Sequence, residues 1–218
     1  MAIYDGNGNS IEIGNSPLSG KTVVWIGDSN VQYNIDSIRE RLVALGAKNV
    51  ISYAVAGYAW ENQDGNDNTV TNNSGVGQVN KLINTYGGEA RILDENFIII
   101  FMMGTNAYGD VGTFTNNDVS TIRGAVDYCL RAVAYYGRAC EVGVILPWCG
   151  HDNEALKERA QYYGFPAIDL ETEVRIIPDS KTSYYAEHAY LGTDGNHFGG
   201  NGKKHFLRVI GNWIAYRL

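Results

Sequence analysis

Lys21-Thr22-Val23-Val24-Trp25-Ile26-Gly27-Asp28-Ser29-Asn30 is an apolar run that stops on a glycine and turns polar at once. It reads as a buried strand followed by a sharp exit. Helical periodicity comes next, with Ile35, Ile38, Leu42 and Leu45 on one face and Gly46 placed as a C-cap. The unit then repeats along the chain. Val50 to Ala54 is a second strand, and Val79 to Tyr86 a short helix ending at Gly87. Phe97 to Met102 is apolar without alternation, the pattern of a strand buried on both faces. Ile122, Val126, Cys129 and Val133 mark a helix stopped by Gly137, and Val142 to Leu146 a fourth strand. Leu156, Ala160 and Tyr163 mark a helix ended by Gly164, Ala167 to Leu170 a fifth strand, and residues 201–216 a last helix. Strands alternating with helices imply right-handed crossovers and a parallel sheet covered on both faces. Ligands of such sheets bind beyond the carboxyl ends of the strands.

Those ends carry a short set of polar residues. Gly27-Asp28-Ser29-Asn30 follows the first strand, Ala56-Gly57-Tyr58 the second, Gly104-Thr105-Asn106 the third and Pro147-Trp148 the fourth. Asp194-Gly195-Asn196-His197 precedes the final helix. Acyl transfer needs a hydroxyl nucleophile, a base, a group that orients the base, and donors aimed at a developing oxyanion. Ser29 supplies the hydroxyl. His197 is suited to take its proton because imidazole titrates near neutral pH. Asp194, three residues earlier, can fix the imidazole tautomer. The N–H groups of Ser29 and Gly57 and the side-chain amide of Asn106 are the candidate oxyanion donors.

In these four blocks the chain resembles the SGNH (GDSL-type) hydrolases: Gly27-Asp28-Ser29, Gly57, Gly104-Thr105-Asn106 and Asp194-Gly195-Asn196-His197, in that order. The resemblance spans about residues 21–217. It implies a flavodoxin-like three-layer α/β/α sandwich with five parallel strands, and ester hydrolysis through an acyl-enzyme with no metal or cofactor. Ala107 stands where many members carry Asp, a position peripheral to the proton transfers. The G-x-S-x-G elbow of ordinary α/β-hydrolases is absent.

The expected substrate is a short-chain ester, with an acetyl group on a carbohydrate the first expectation, because the polar, Asn-rich stretch after Tyr58 looks like a wet rim rather than an apolar lid. Tyr58, Trp60, Tyr108 and Trp148 are candidate sugar-stacking residues, each of which could equally pack under a loop. A thioesterase or lysophospholipase on the same residues is the alternative, followed by a non-catalytic carbohydrate-binding or phage-structural module.

The remaining features narrow the field. The chain has 218 residues and 44% hydrophobic content, enough for one core. Residues 1–20 read as an N-terminal arm or connector, with a short strand at Ile11-Glu12-Ile13, and residues 21–218 as the hydrolase domain; the arm could join the domain to a larger assembly. A net charge of -7 argues against nucleic acid as a partner, since phosphate contacts need clustered cations. Cys129, Cys140 and Cys149 show no CxxC spacing and read as free, mostly buried thiols. Asp64-Gly65-Asn66-Asp67-Asn68 lacks the later Glu of a calcium loop and reads as a polar loop. His151 and His188 read as loop residues and His205 as a helix-face residue. No run approaches the roughly 20 apolar residues of a membrane span, and no signal peptide is recognisable. The compartment is left open between cytoplasm, virion and extracellular space.

Overall fold

The computed structural model describes the backbone of residues 3–4 and 10–11 and, in full, residues 16–62, 73–87, 93–115, 118–148, 150, 152–174 and 197–218. In chain order the elements are β1 (Ile3–Tyr4), β2 (Ser10–Ile11), β3 (Thr22–Gly27), α1 (Ser29–Gln32), α2 (Ile35–Ala44), β4 (Asn49–Ser52), α3 (Gly75–Tyr86), β5 (Phe97–Met102), α4 (Ile122–Tyr136), β6 (Glu141–Leu146), α5 (Asn153–Tyr162), β7 (Ala167–Asp169) and α6 (Gly200–Arg217).

Five strands form one parallel sheet in the order β4-β3-β5-β6-β7. Its faces separate by residue parity, as the strand period of two requires. Val24, Ile26, Ile99, Phe101, Val142 and Val144 face one core with Val79, Leu82, Val126, Leu130 and Leu156 from α3, α4 and α5. Val23, Trp25, Ile98, Ile100, Met102 and Ile145 face the other with Ile38, Leu42, Phe206, Ile210 and Ile214 from α2 and α6. The expected three-layer α/β/α sandwich with five parallel strands is therefore the observed fold. All six side chains of β5 are buried, each worth about 1.5–3 kcal/mol in transfer free energy. That double burial is why the segment does not alternate.

Several element boundaries differ from the sequence reading by a residue or two, such as β4 at Asn49–Ser52 and β7 at Ala167–Asp169, and the start of α3 differs by more. Helix α3 begins at Gly75 rather than near Val79, because Ser74 caps it by accepting the Gly77 N–H. The glycines at 75 and 77 mask that start, being poor helix formers. At the N-terminus β2 is Ser10–Ile11, paired antiparallel with Ile3–Tyr4; residues 5–9 and 12–15 lie outside the described residues. Packing of the main domain already includes Leu18, which is 1% exposed and donates its N–H to the Leu45 carbonyl. Cys129 is buried in α4 and Cys140 half-buried; burial pushes both thiols up, Cys140 to about 11. Cys149, His151, His188 and the 64–68 loop lie outside the described residues. Among those described, no helix is long and apolar enough to cross a membrane.

One contact joins the α3 layer to the end of β3. Gln78 accepts the Gly27 N–H at 2.9 Å and returns its own amide N–H to the Gly27 carbonyl at 2.9 Å. A side-chain amide thus serves the last residue of β3 as a neighbouring strand would. Gln78→Leu leaves the Gly27 N–H buried without a partner, at a cost of about 1–3 kcal/mol. The urea midpoint should fall accordingly with an unchanged slope; an unaltered midpoint would show that Gly27 finds another acceptor.

Candidate active site

The order of the strands places the site. Chain connections run from β3 outward to β4 on one side and, through α3, to β5 on the other, so the strand order reverses at β3. A crevice opens at such a reversal beyond the carboxyl ends. The segments leaving β3, β4 and β5 there contain Ser29, Gly57 and Asn106.

Ser29 is the first residue of α1 and is 5% exposed. Asp28 caps that turn, accepting the Asn30 N–H on Oδ1 at 3.0 Å. Its other oxygen accepts the Thr105 N–H at 3.3 Å. Asp28 therefore belongs to two loops at once. Burial raises its pKa, while the hydrogen bonds from Asn30 and Thr105 and the charge of His197 act in the opposite direction. Asn30, fully buried, adds a bond from its amide to the Thr105 hydroxyl at 3.3 Å. Gly27 is needed for close approach, since a Cβ there would lie 2.6 Å from Val31 Cγ2 and 2.8 Å from the Met102 carbonyl.

His197 reaches this turn from the segment before α6. Its Nε2 lies 2.8 Å from Ser29 Oγ across 168 residues of sequence, within the range for proton transfer between a hydroxyl and a base. The imidazole also packs on Tyr33, ring centroids 5.3 Å apart and planes at 49°. Asp194 lies outside the described residues, so its expected contact with the imidazole stays an expectation.

Gly57 has φ +82° and Gly104 φ +135°, conformations that side chains rarely adopt. Both loops are braced against the serine turn. Gln32, at the end of α1, accepts the Ala56 N–H at 2.6 Å. The Asn106 amide donates to the Tyr58 carbonyl at 3.2 Å, which spends one of its two N–H groups. Ser29, Gly57 and Asn106 are thereby linked through Gln32, Tyr58, Thr105 and Asp28. Glu61, 3% exposed, accepts the N–H groups of Tyr108 and Gly109 on Oε1 at 3.2 and 3.1 Å, and so pins the chain just past Asn106.

The four candidate stacking residues divide in two. Trp60 is 1% exposed and stacks on Phe101; Trp148 is 5% exposed and meets Phe198 edge-on. Neither presents a face to a sugar, which corrects the reading of both as stacking surfaces: they pack the loops they sit on. Tyr58 is half-buried with its hydroxyl bonded to Asn73, and Tyr108 is well exposed. His205 is not a bare helix-face residue either, because its Nε2 meets the Val174 carbonyl at 2.8 Å.

Sequence reasoning missed Asn30, Gln32, Glu61, Gln78 and Tyr33. The four polar ones act through contacts tens of residues apart, for which no local pattern exists. Tyr33 had a signal, standing four residues after Ser29 on the same helical face. Among the described residues no group of three or more His, Cys, Asp or Glu side chains is placed to hold a metal ion.

No protein-family model matches the chain, and no curated protein matches it. Solved structures do. A protein from Lactobacillus plantarum is 15% identical, with a TM-score of 0.60 over 92% of this chain and 99% of that one. A candidate GDSL-like lipase from Bacteroides uniformis is 14% identical, with a TM-score of 0.59 over 90% and 95%. Another from Bacteroides ovatus is 14% identical, with a TM-score of 0.56 over 89% and 97%. At these identities the likeness is one of fold: this chain shares the three-layer α/β/α sandwich of these structures.

Proposed function

We propose that the chain is a serine esterase that removes a short acyl group, acetyl first, from a carbohydrate. The observation that carries this reading is the 2.8 Å contact between Ser29 Oγ and His197 Nε2 just beyond the carboxyl end of β3. The Bacteroides neighbours, described as candidate GDSL-like lipases, agree with ester hydrolysis.

In the proposed reaction Ser29 Oγ bonds to the ester carbonyl carbon as its proton passes to His197 Nε2. The oxyanion is met by the N–H groups of Ser29 and Gly57 and by the remaining amide hydrogen of Asn106. The bond to the alcohol then breaks, and His197 returns the proton to the departing oxygen. Water attacks the acyl-enzyme with His197 as base, and Ser29 regains its hydrogen when the acid leaves. Asp194 is assigned to orient the imidazole. Tyr58 and Tyr108 remain candidates for contacts with the sugar. Trp60 is assigned to the wall of the acyl pocket, since its Nε1 lies 3.5 Å from where a Cβ on Gly104 would stand. The lipase descriptions of the neighbours favour one second reading, a lysophospholipase or thioesterase on the same residues.

Three outcomes test the proposal. Ser29→Ala should abolish hydrolysis without loss of fold, and a fluorophosphonate should label Ser29; label on another residue would remove the assignment. Asn106→Ala should lower kcat by about 10²–10³-fold with little change in KM, whereas a change in KM alone would make Asn106 a substrate-positioning group. Rates on a series of acyl esters should be highest for acetyl, lower for butyryl and negligible at eight carbons. An apolar channel would instead add about 0.8 kcal/mol per buried CH₂, and kcat/KM rising with chain length would select the second reading.

A further inference from the structure

We infer that Tyr33 forms the subsite for the departing alcohol and that this subsite is shaped for a pyranose ring. The inference rests on the serine-esterase reading and adds to it the residue that recognises the sugar.

Six tyrosines are strongly exposed among the described residues: Tyr33, Tyr86, Tyr108, Tyr135, Tyr162 and Tyr216. Topology separates them. Tyr86, Tyr135 and Tyr162 stand in the last turns of α3, α4 and α5, which lead into β5, β6 and β7. They are therefore at the amino edge of the sheet. Tyr216, at the end of α6, borders a surface hollow with Lys21 and Glu141, which mark the starts of β3 and β6. Of these six, Tyr33 and Tyr108 belong to segments at the carboxyl edge, and Tyr33 packs on the imidazole.

The position of Tyr33 follows from helix geometry. Residues four apart share a helical face, so Tyr33 is stacked in register with Ser29. Its N–H donates to the Ser29 carbonyl at 2.9 Å, and the next residue, Asn34, bonds through its amide to the Asn30 carbonyl at 2.8 Å. The backbone that bears the ring is thus tied to the nucleophile's own turn. His197 bridges the two side chains, hydrogen-bonded to Ser29 and packed on Tyr33. Yet Tyr33 is 63% exposed, so most of the ring is available to a ligand.

The chemistry assigns a side to this ring. His197 Nε2 delivers the proton to the departing oxygen, so that oxygen must come within hydrogen-bond reach of Nε2. The alcohol it belongs to then extends along the imidazole toward Tyr33. A rigid aromatic face ending in a hydroxyl suits a molecule with an apolar C–H face and polar edges, which a pyranose has and an alkyl chain or a small alcohol has not. Since the backbone bearing the ring is tied to the α1 turn and the ring packs on the imidazole, less conformational freedom is lost on contact.

The test compares wild type, Tyr33→Ala, Tyr33→Phe and Tyr33→Trp on a mono-O-acetylated methyl pyranoside and on ethyl acetate, which share the acyl group. The readout is the ratio of kcat/KM on the two esters. Tyr33→Ala should lower that ratio about tenfold, the upper range for an aromatic contact, chiefly through KM of the pyranoside; Phe and Trp should restore most of it. If Ala lowers both esters equally, Tyr33 acts only through His197 and the subsite is overturned. Cyclohexyl acetate falling as far as the pyranoside would overturn the sugar preference. Wild type that cleaves ethyl acetate but no acetylated pyranoside would overturn the subsite while leaving the esterase standing. Wild type that cleaves neither ester and fails to take a fluorophosphonate on Ser29 would remove the esterase reading and this inference with it.

Discussion

A buried carboxylate ties together the loops at the carboxyl edge of this sheet. Asp28 is 1% exposed, and each of its oxygens accepts a backbone N–H from a different loop, one in the serine turn and one in the loop that carries Asn106. Burying a carboxylate is costly unless hydrogen bonds compensate, and the raised pKa of Asp28 records the part of the cost that burial still imposes. The same low-dielectric setting strengthens the hydrogen bonds it accepts relative to water. Each loop supplies what the carboxylate needs, so neither can shift alone.

The sheet makes that arrangement possible. Three adjacent strands, β4, β3 and β5, end side by side, and the chain leaves them in segments bearing Gly57, Ser29 and Asn106. The helical layers hold the strand ends from both faces. Gln78 reaches from α3 to both backbone groups of Gly27, and Gln32 reaches from α1 to the Ala56 N–H. Glu61 fixes the chain just beyond Asn106. Such bracing fixes the three loops relative to one another, which is what preorganisation of the proposed oxyanion donors would require.

Much of this was legible in the chain. The unbroken apolar character of Phe97 to Met102 announces a strand covered twice, because only a residue pair pointing to two dry faces drops the alternation of a half-exposed strand. Glycines at 46, 137 and 164 end helices where the periodicity stops. Ser29, Gly57, Asn106 and His197 stand at strand ends or ahead of the last helix, where a parallel α/β sheet binds its ligands. All of these signals are local in sequence or fixed by chain order, which is why they survive without coordinates.

What the tertiary structure alone decided is which side chains meet and which are covered. Trp60 and Trp148 are as aromatic in sequence as Tyr33, but packing against Phe101 and Phe198 takes their faces out of solvent, where a sugar could stack, whereas Tyr33 stays 63% exposed. The pairing of Ser29 with His197 spans 168 residues, and Gln78 with Gly27 spans 51. Local propensity has no term for such distances. Composition and periodicity determined the layers and the edge at which chemistry could occur; the closing of the sandwich, by bringing α6 and α3 onto the end of β3, determined the site.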